Sequence, residues 1–74
     1  MSHRLDVNGL TCPLPVLRAK KALREVPPGE VLEVLATDPS AVKDFEAFCR
    51  TTKTILDSWR EEDGVYIFLI RNPE

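Results

Sequence analysis

Cys12 is the residue in this chain best suited to chemistry. It stands in the run Gly9-Leu10-Thr11-Cys12-Pro13-Leu14-Pro15, between a glycine turn and two prolines at alternate positions. Proline is favoured in the first turn of a helix, where its missing N–H would have no intrahelical partner. The pair predicts a helix starting at Pro13, with Cys12 as N-cap and Pro15 at the third helical position. A thiol there is exposed and feels the positive end of the helix dipole, which favours thiolate. Neither proline can donate to the sulfur, so the amide of Leu14 is the donor left for it. The expectation is a moderately activated thiol, suited to exchange because nucleophilicity falls as the thiol pKa falls. The plain alternative is a small apolar side chain that packs the start of the helix.

The other reactive side chains carry less. Cys49 falls in an apolar stripe beside Phe45 and Phe48 and reads as buried and inert. His3 lies near the terminus, and nothing in the sequence brings it to Cys12. A Cys/His hydrolase needs a base, an orienting group and an oxyanion hole. A chain this small does not furnish these and a substrate cleft as well. Two cysteines and one histidine make no convincing metal site, and no cofactor is expected. Asp6, just upstream, is placed to accept backbone N–H bonds from the Gly9-to-Cys12 turn. Arg18, Lys20, Lys21 and Arg24 make the following helix basic and could steer an acidic partner. Leu14 and Leu17 project beside Cys12, so Leu14, Leu17, Arg18 and Lys21 form a candidate docking patch.

These residues need elements to position them. Arg4 to Val7 alternates polar and apolar side chains and closes at Asn8-Gly9, a short first strand. From Pro13 to about Val26, Val16, Ala19, Ala22, Leu23 and Val26 share one helical face, and Pro27-Pro28-Gly29 stops the run. Val31 to Thr37 reads as a second strand, with Leu32, Val34 and Ala36 toward the core. Asp38 and Pro39 then read as N-cap and first residue of a second helix, which runs to about Arg50. Its apolar stripe is Ala41, Val42, Phe45, Phe48 and Cys49. Thr54 to Arg60 and Val65 to Arg71 read as strands joined by an Asp63-Gly64 hairpin turn. The last is apolar on both sides, as strands interior to a sheet are. The order βαβαββ, with right-handed crossovers, predicts an α/β (α+β) two-layer sandwich: a four-stranded mixed sheet with two helices on one face. The open face is expected to carry Val31, Leu35 and some of Trp59, Tyr66, Phe68 and Ile70.

At 74 residues the chain has room for one modest core, and residues 1–74 are expected to form a single domain. A net charge of -2 gives no global basic field to hold nucleic acid, so no direct nucleic-acid contact is expected. No apolar run approaches the roughly 20 residues of a membrane span, so no membrane partner is expected. Met1-Ser2-His3-Arg4 shows no signal-peptide core, and the cysteines form no disulfide framework. Both point to a reducing cytoplasm.

Leu5-Asp6, Gly9-Leu10 and Cys12-Pro13-Leu14-Pro15 together resemble the TusA-like (SirA-like) sulfur-carrier family, whose mark is a CPxP motif. The resemblance continues through Leu17, Lys20-Lys21-Ala22-Leu23, Gly29-Glu30, Thr37-Asp38-Pro39 and the closing strand. It departs at Thr52-Lys53, where many members have a Gly-His pair. What the resemblance implies is a sulfurtransferase of the carrier kind. Cys12 would accept sulfane sulfur from a cysteine desulfurase or rhodanese, carry it as a persulfide and pass it to an acceptor protein. In the family such relays feed 2-thiouridine formation in tRNA, molybdenum-cofactor assembly or sulfur oxidation. Two other classes compete on the residues alone: a non-catalytic regulatory or protein-binding module, and a thiol redox sensor that pairs Cys12 with Cys49.

Overall fold

The computed structural model describes residues 3–73; the reading of Met1-Ser2 as free of a signal core falls outside them. The elements are β1 (His3–Asp6), α1 (Leu14–Leu23), β2 (Val31–Ala36), α2 (Ala41–Thr52), β3 (Ile55–Glu62) and β4 (Val65–Arg71). They build the expected two-layer βαβαββ sandwich. The sheet order is β1-β2-β4-β3, with β1 parallel to β2 and β4 antiparallel to both neighbours. β4 therefore lies in the interior of the sheet, as its two-sided apolar pattern requires. Its hairpin with β3 turns at Asp63 and Gly64, both at positive φ (52° and 84°), the geometry a two-residue hairpin turn needs.

The core lies between the sheet and the two helices. Register sets Leu32 opposite Ile70, Val34 opposite Phe68 and Ala36 opposite Tyr66. Leu32, Val34, Ala36, Phe68 and Ile70 are buried on this side against Ala19, Leu23, Val26, Ala41, Phe45, Phe48 and Cys49. Phe45 sits at its centre, edge-on to Phe48 at 6.1 Å and tilted on Phe68 at 4.7 Å.

Several boundaries differ from the sequence reading, each for a local reason. α1 starts at Leu14, with Pro13 in the N-cap position, so Pro15 is its second residue. It ends at Leu23, yet the apolar pattern continues to Val26. There the amides of Arg24, Glu25 and Val26 bond three residues back, to Lys21, Ala22 and Leu23, the tightening common in a last helical turn. α2 starts at Ala41 after Ser40, not at Pro39, and reaches Thr52. Asp38 still caps this end: its Oδ1 accepts the Ser40 N–H at 3.1 Å and its carbonyl accepts that of Ala41 at 2.9 Å.

The open face also differs. Phe68 and Ile70 face the helices, with Tyr66 packed against the same core. Trp59 pairs with Phe68 and lies 6.3 Å from Tyr66 and 6.4 Å from Phe68, ring to ring. An irregularity between Leu56 and Ser58 shifts the alternation of β3 and puts Trp59 on that side. The open face carries Val31, Leu35, Ile67 and Leu69, which are paired with Arg71, Ile67, Leu35 and Glu33 across β2 and β4.

Candidate functional site

β1 and β2 run in parallel, with Asp6 opposite Leu35. The chain therefore leaves both strands at the same end of the sheet, and the two loops that follow lie side by side. One carries Cys12 and the other Thr37 and Asp38. The contact between them is made of backbone donors and side-chain acceptors. Thr37 Oγ1 accepts the Gly9 N–H at 2.9 Å, and Asp38 Oδ2 accepts the Cys12 N–H at 2.8 Å. The Val7 amide reaches the Leu35 carbonyl at 2.8 Å, and the Leu10 amide reaches that of Val7 at 3.2 Å. Gly9 has φ +83°, a conformation that a residue with a β-carbon rarely adopts.

Asp6 bonds one residue ahead of the expected Gly9-to-Cys12 stretch: its Oδ1 accepts the Asn8 N–H at 2.9 Å. The acceptors for Gly9 and Cys12 come from 28 and 26 residues away in sequence. The sequence reading gave Asp38 only a capping role and missed its hold on Cys12. A signal was available, because two parallel strands joined by a crossover deliver their following loops to one end of the sheet, outside the carboxyl ends of the strands, where sites in α/β sheets collect.

Cys12 is exposed, a free thiol one residue ahead of the N-cap of α1. The Cys12–Pro13 peptide is cis. The electrostatics differ from the expected thiolate-favouring helix end. The Leu14 amide, the donor left for the sulfur, is bonded to the Thr11 carbonyl at 2.9 Å. Hydrogen bonding to the Asp44 carboxylate, slight desolvation and the negative charges of Asp44 and Asp38 all push the thiol pKa up. Carboxylates beside a thiol disfavour a second negative charge. Asp38, by contrast, is held below the usual carboxylate range by the Ser40 amide, the Cys12 amide and the Ser40 hydroxyl. A carboxylate that accepts several N–H and O–H bonds stays ionised. Ser40 also links the two acids, with Oγ 2.9 Å from Asp38 Oδ2 and 3.3 Å from Asp44 Oδ2.

Beside Cys12, α1 and α2 enclose a groove of about 400 Å³ whose lining includes Pro13, Leu17, Lys20, Asp44 and Phe48. The proposed docking set divides across it. Leu17, 54% exposed, faces the groove; Arg18 and Lys21 line a separate hollow with Leu5 on the β1 flank. Leu14 is 42% exposed at the first turn of α1. Lys20 is the basic residue that shares the groove with Cys12. Pro13 and Pro15 hold the start of α1, Pro15 being buried. Cys49 is buried beside Phe48, and burial pushes its thiol pKa up; Cys12 and Cys49 are both free thiols. His3 is bonded to Glu30 at 2.8 Å, beside Arg4 and Leu32 and away from the Cys12 groove. Among the described residues, no group of three or more His, Cys, Asp or Glu is arranged to hold a metal ion.

The sulfurtransferase TusA family model matches residues 3–72. The chain belongs to the TusA family. It is 54% identical over 69 residues to the sulfur carrier protein TusA of Allochromatium vinosum, covering 93% of this chain and 91% of that one. The sulfur carrier protein TusA of Pseudomonas entomophila is 45% identical over 67 residues, covering 90% and 84%. Among solved structures, the SirA-like protein of Desulfitobacterium hafniense superposes with a TM-score of 0.83 at 32% identity, covering 96% and 97%. TusA membership carries sulfur transfer as the broad role, with sulfur-donor and sulfur-acceptor proteins as partners in general. No helix among the described residues is long and apolar enough to cross a membrane.

Proposed function

We propose that this TusA-family chain, residues 1–74 acting as one unit in the reducing cytoplasm, is a sulfur carrier that holds sulfane sulfur as a persulfide on Cys12. The observation that carries the reading is an exposed thiol whose own amide is clamped to Asp38 at 2.8 Å. The sulfur projects from a fixed backbone, free to enter another protein's active site. In the accepting step, the Cys12 sulfur attacks the terminal sulfur of a donor persulfide. A new S–S bond forms at Cys12, the donor S–S bond breaks, and the proton lost by Cys12 goes to the departing donor thiol. No net oxidation occurs. The delivering step repeats the exchange, with the acceptor's thiol as nucleophile. A cysteine desulfurase or rhodanese supplies the sulfur, and the acceptor feeds a route such as tRNA 2-thiouridine formation, molybdenum-cofactor assembly or sulfur oxidation.

Gly9, Asp6, Pro13 and Pro15 support the turn in this scheme. Leu14, Leu17, Arg18 and Lys21 contribute the docking surface, with Leu17 lining the same groove as Cys12. The test is intact-protein mass spectrometry after incubation with a cysteine desulfurase and cysteine, with a rhodanese and thiosulfate in parallel. The expected result is a gain of one sulfur, reversed by reductant, kept in Cys49→Ser and lost in Cys12→Ser. Loading that survives in Cys12→Ser, or no loading by either donor, overturns the assignment.

A further inference from the structure

Asp44 is unexplained by a carrier that needs only an exposed cysteine. It occupies the first turn of α2, on the wall of the groove facing Cys12, half-buried, and tied through the Ser40 hydroxyl to the clamp Asp38. The charged groups around the sulfur are few. Asp44 comes from α2, Asp38 from the loop before it, and Lys20 from α1. Among the described residues, neither acid has a Lys or Arg within ion-pair distance. Two negative charges thus meet the sulfur on the α2 side of the groove.

We propose that Asp44 is a positioning residue that gates Cys12: it holds the thiol proton in the free protein, and losing its charge frees the sulfur to attack. The gate rests on Cys12 being the sulfur-bearing residue and adds how its reactivity is regulated. Thiolate, not thiol, is the nucleophile. A carrier that diffuses between partners with an activated cysteine would react with any electrophile on the way. With Asp44 ionised, the idle sulfur stays protonated. A cationic side chain brought against Asp44 by a docked donor has the same effect as removing the charge, so activation is confined to the complex. The same carboxylate repels the anionic persulfide after loading and favours handing it on. The direction in which the thiol is shifted agrees with this arrangement.

The test is the pH profile of Cys12 alkylation by iodoacetamide, read residue by residue by mass spectrometry on the full chain. Asp44→Asn should move the profile to lower pH and raise the rate at neutral pH several-fold. Asp44→Glu should return it toward wild type, and Lys20→Gln should leave it above or at the wild-type midpoint. If Asp44→Asn does not fold, Asp44→Ser, which keeps a short polar partner for Ser40, takes its place. A profile that superimposes on wild type in the neutral variant, or one moved to higher pH, overturns the gate. A merely structural role would change the melting temperature and leave the profile where it was. Glutathione persulfide, a donor too small to dock, separates the two claims. Faster Cys12 loading in Asp44→Asn supports the gate, and unchanged loading refutes it. Failure of both proteins to load under any donor removes the carrier reading, and the alkylation profile still decides the gate.

Discussion

Phe45→Leu tests the packing that holds α2, and with it Asp44, over the sheet. Phe45 is fully buried, with one aromatic contact to Phe48 on its own helix and one to Phe68 on β4. Aromatic pairs contribute about 0.5–1.5 kcal/mol each beyond the area they bury, and leucine keeps most of that area. The volume lost, roughly 25 Å³, adds about 0.6 kcal/mol at 24 cal/mol per Å³ of residual cavity. The expected loss is about 2 kcal/mol. A chain of 74 residues has roughly 4–11 kcal/mol of stability in all, so the variant still folds. At about 4–8 °C per kcal/mol for a domain of this size, its melting temperature falls by about 8–16 °C. With a urea slope near 1 kcal/mol per M, the midpoint falls by about 2 M. The assay is urea unfolding followed by the fluorescence of Trp59, with Cys12 alkylation measured in the absence of urea. A loss under about 0.5 kcal/mol would refute the reasoning, because the T-shaped and tilted contacts would then not be what anchors the helix.

Two more predictions concern the ends of α2. Lys53 closes the helix at φ 61°, ψ 24°, a left-handed position that costs a residue with a β-carbon about 1 kcal/mol. Lys53→Gly should gain about 0.5 kcal/mol net of its greater freedom when unfolded, seen as a melting temperature a few degrees higher; an unchanged or lower value contradicts it. At the other end, the Asp38 carboxyl is depressed by its bonds to Ser40 and Cys12. A depressed carboxyl stabilises the fold above its unfolded pKa, and that contribution is lost as pH falls through the folded value. The Cys12 amide resonance should therefore titrate with a midpoint below that of an ordinary aspartate. A midpoint at or above the ordinary value means the clamp is absent in solution.

The strands and helices could be read from the chain because their causes are local. The period-2 and period-3.6 patterns selected Leu32, Val34 and Ala36, and then Ala41, Phe45, Phe48 and Cys49, and all are buried where expected. Asp63-Gly64 specified a hairpin, and the two-sided apolar pattern of Val65–Arg71 marked the interior strand. Where periodicity failed, one extra residue was the cause. The irregularity near Asp57 in β3 turns Trp59 to the helix side, a shift of phase that no alternation announces.

What the sequence determined by itself is a small βαβαββ sandwich with a cysteine exposed at the start of its first helix, and a CPxP motif specific enough to indicate its family. The tertiary structure decided the chemistry around that cysteine. Pro13 and Pro15 positioned Cys12 through backbone restrictions that act over a few residues. Asp38 and Asp44 reach it from the far side of β2, because parallel pairing of β1 and β2 brings their following loops together. A helix end is visible in the local sequence and suggests a thiolate. Charges separated by some thirty positions in the chain are not visible there: Asp44, by hydrogen bonding and by its charge, and Asp38, by its charge, push the Cys12 thiol pKa up.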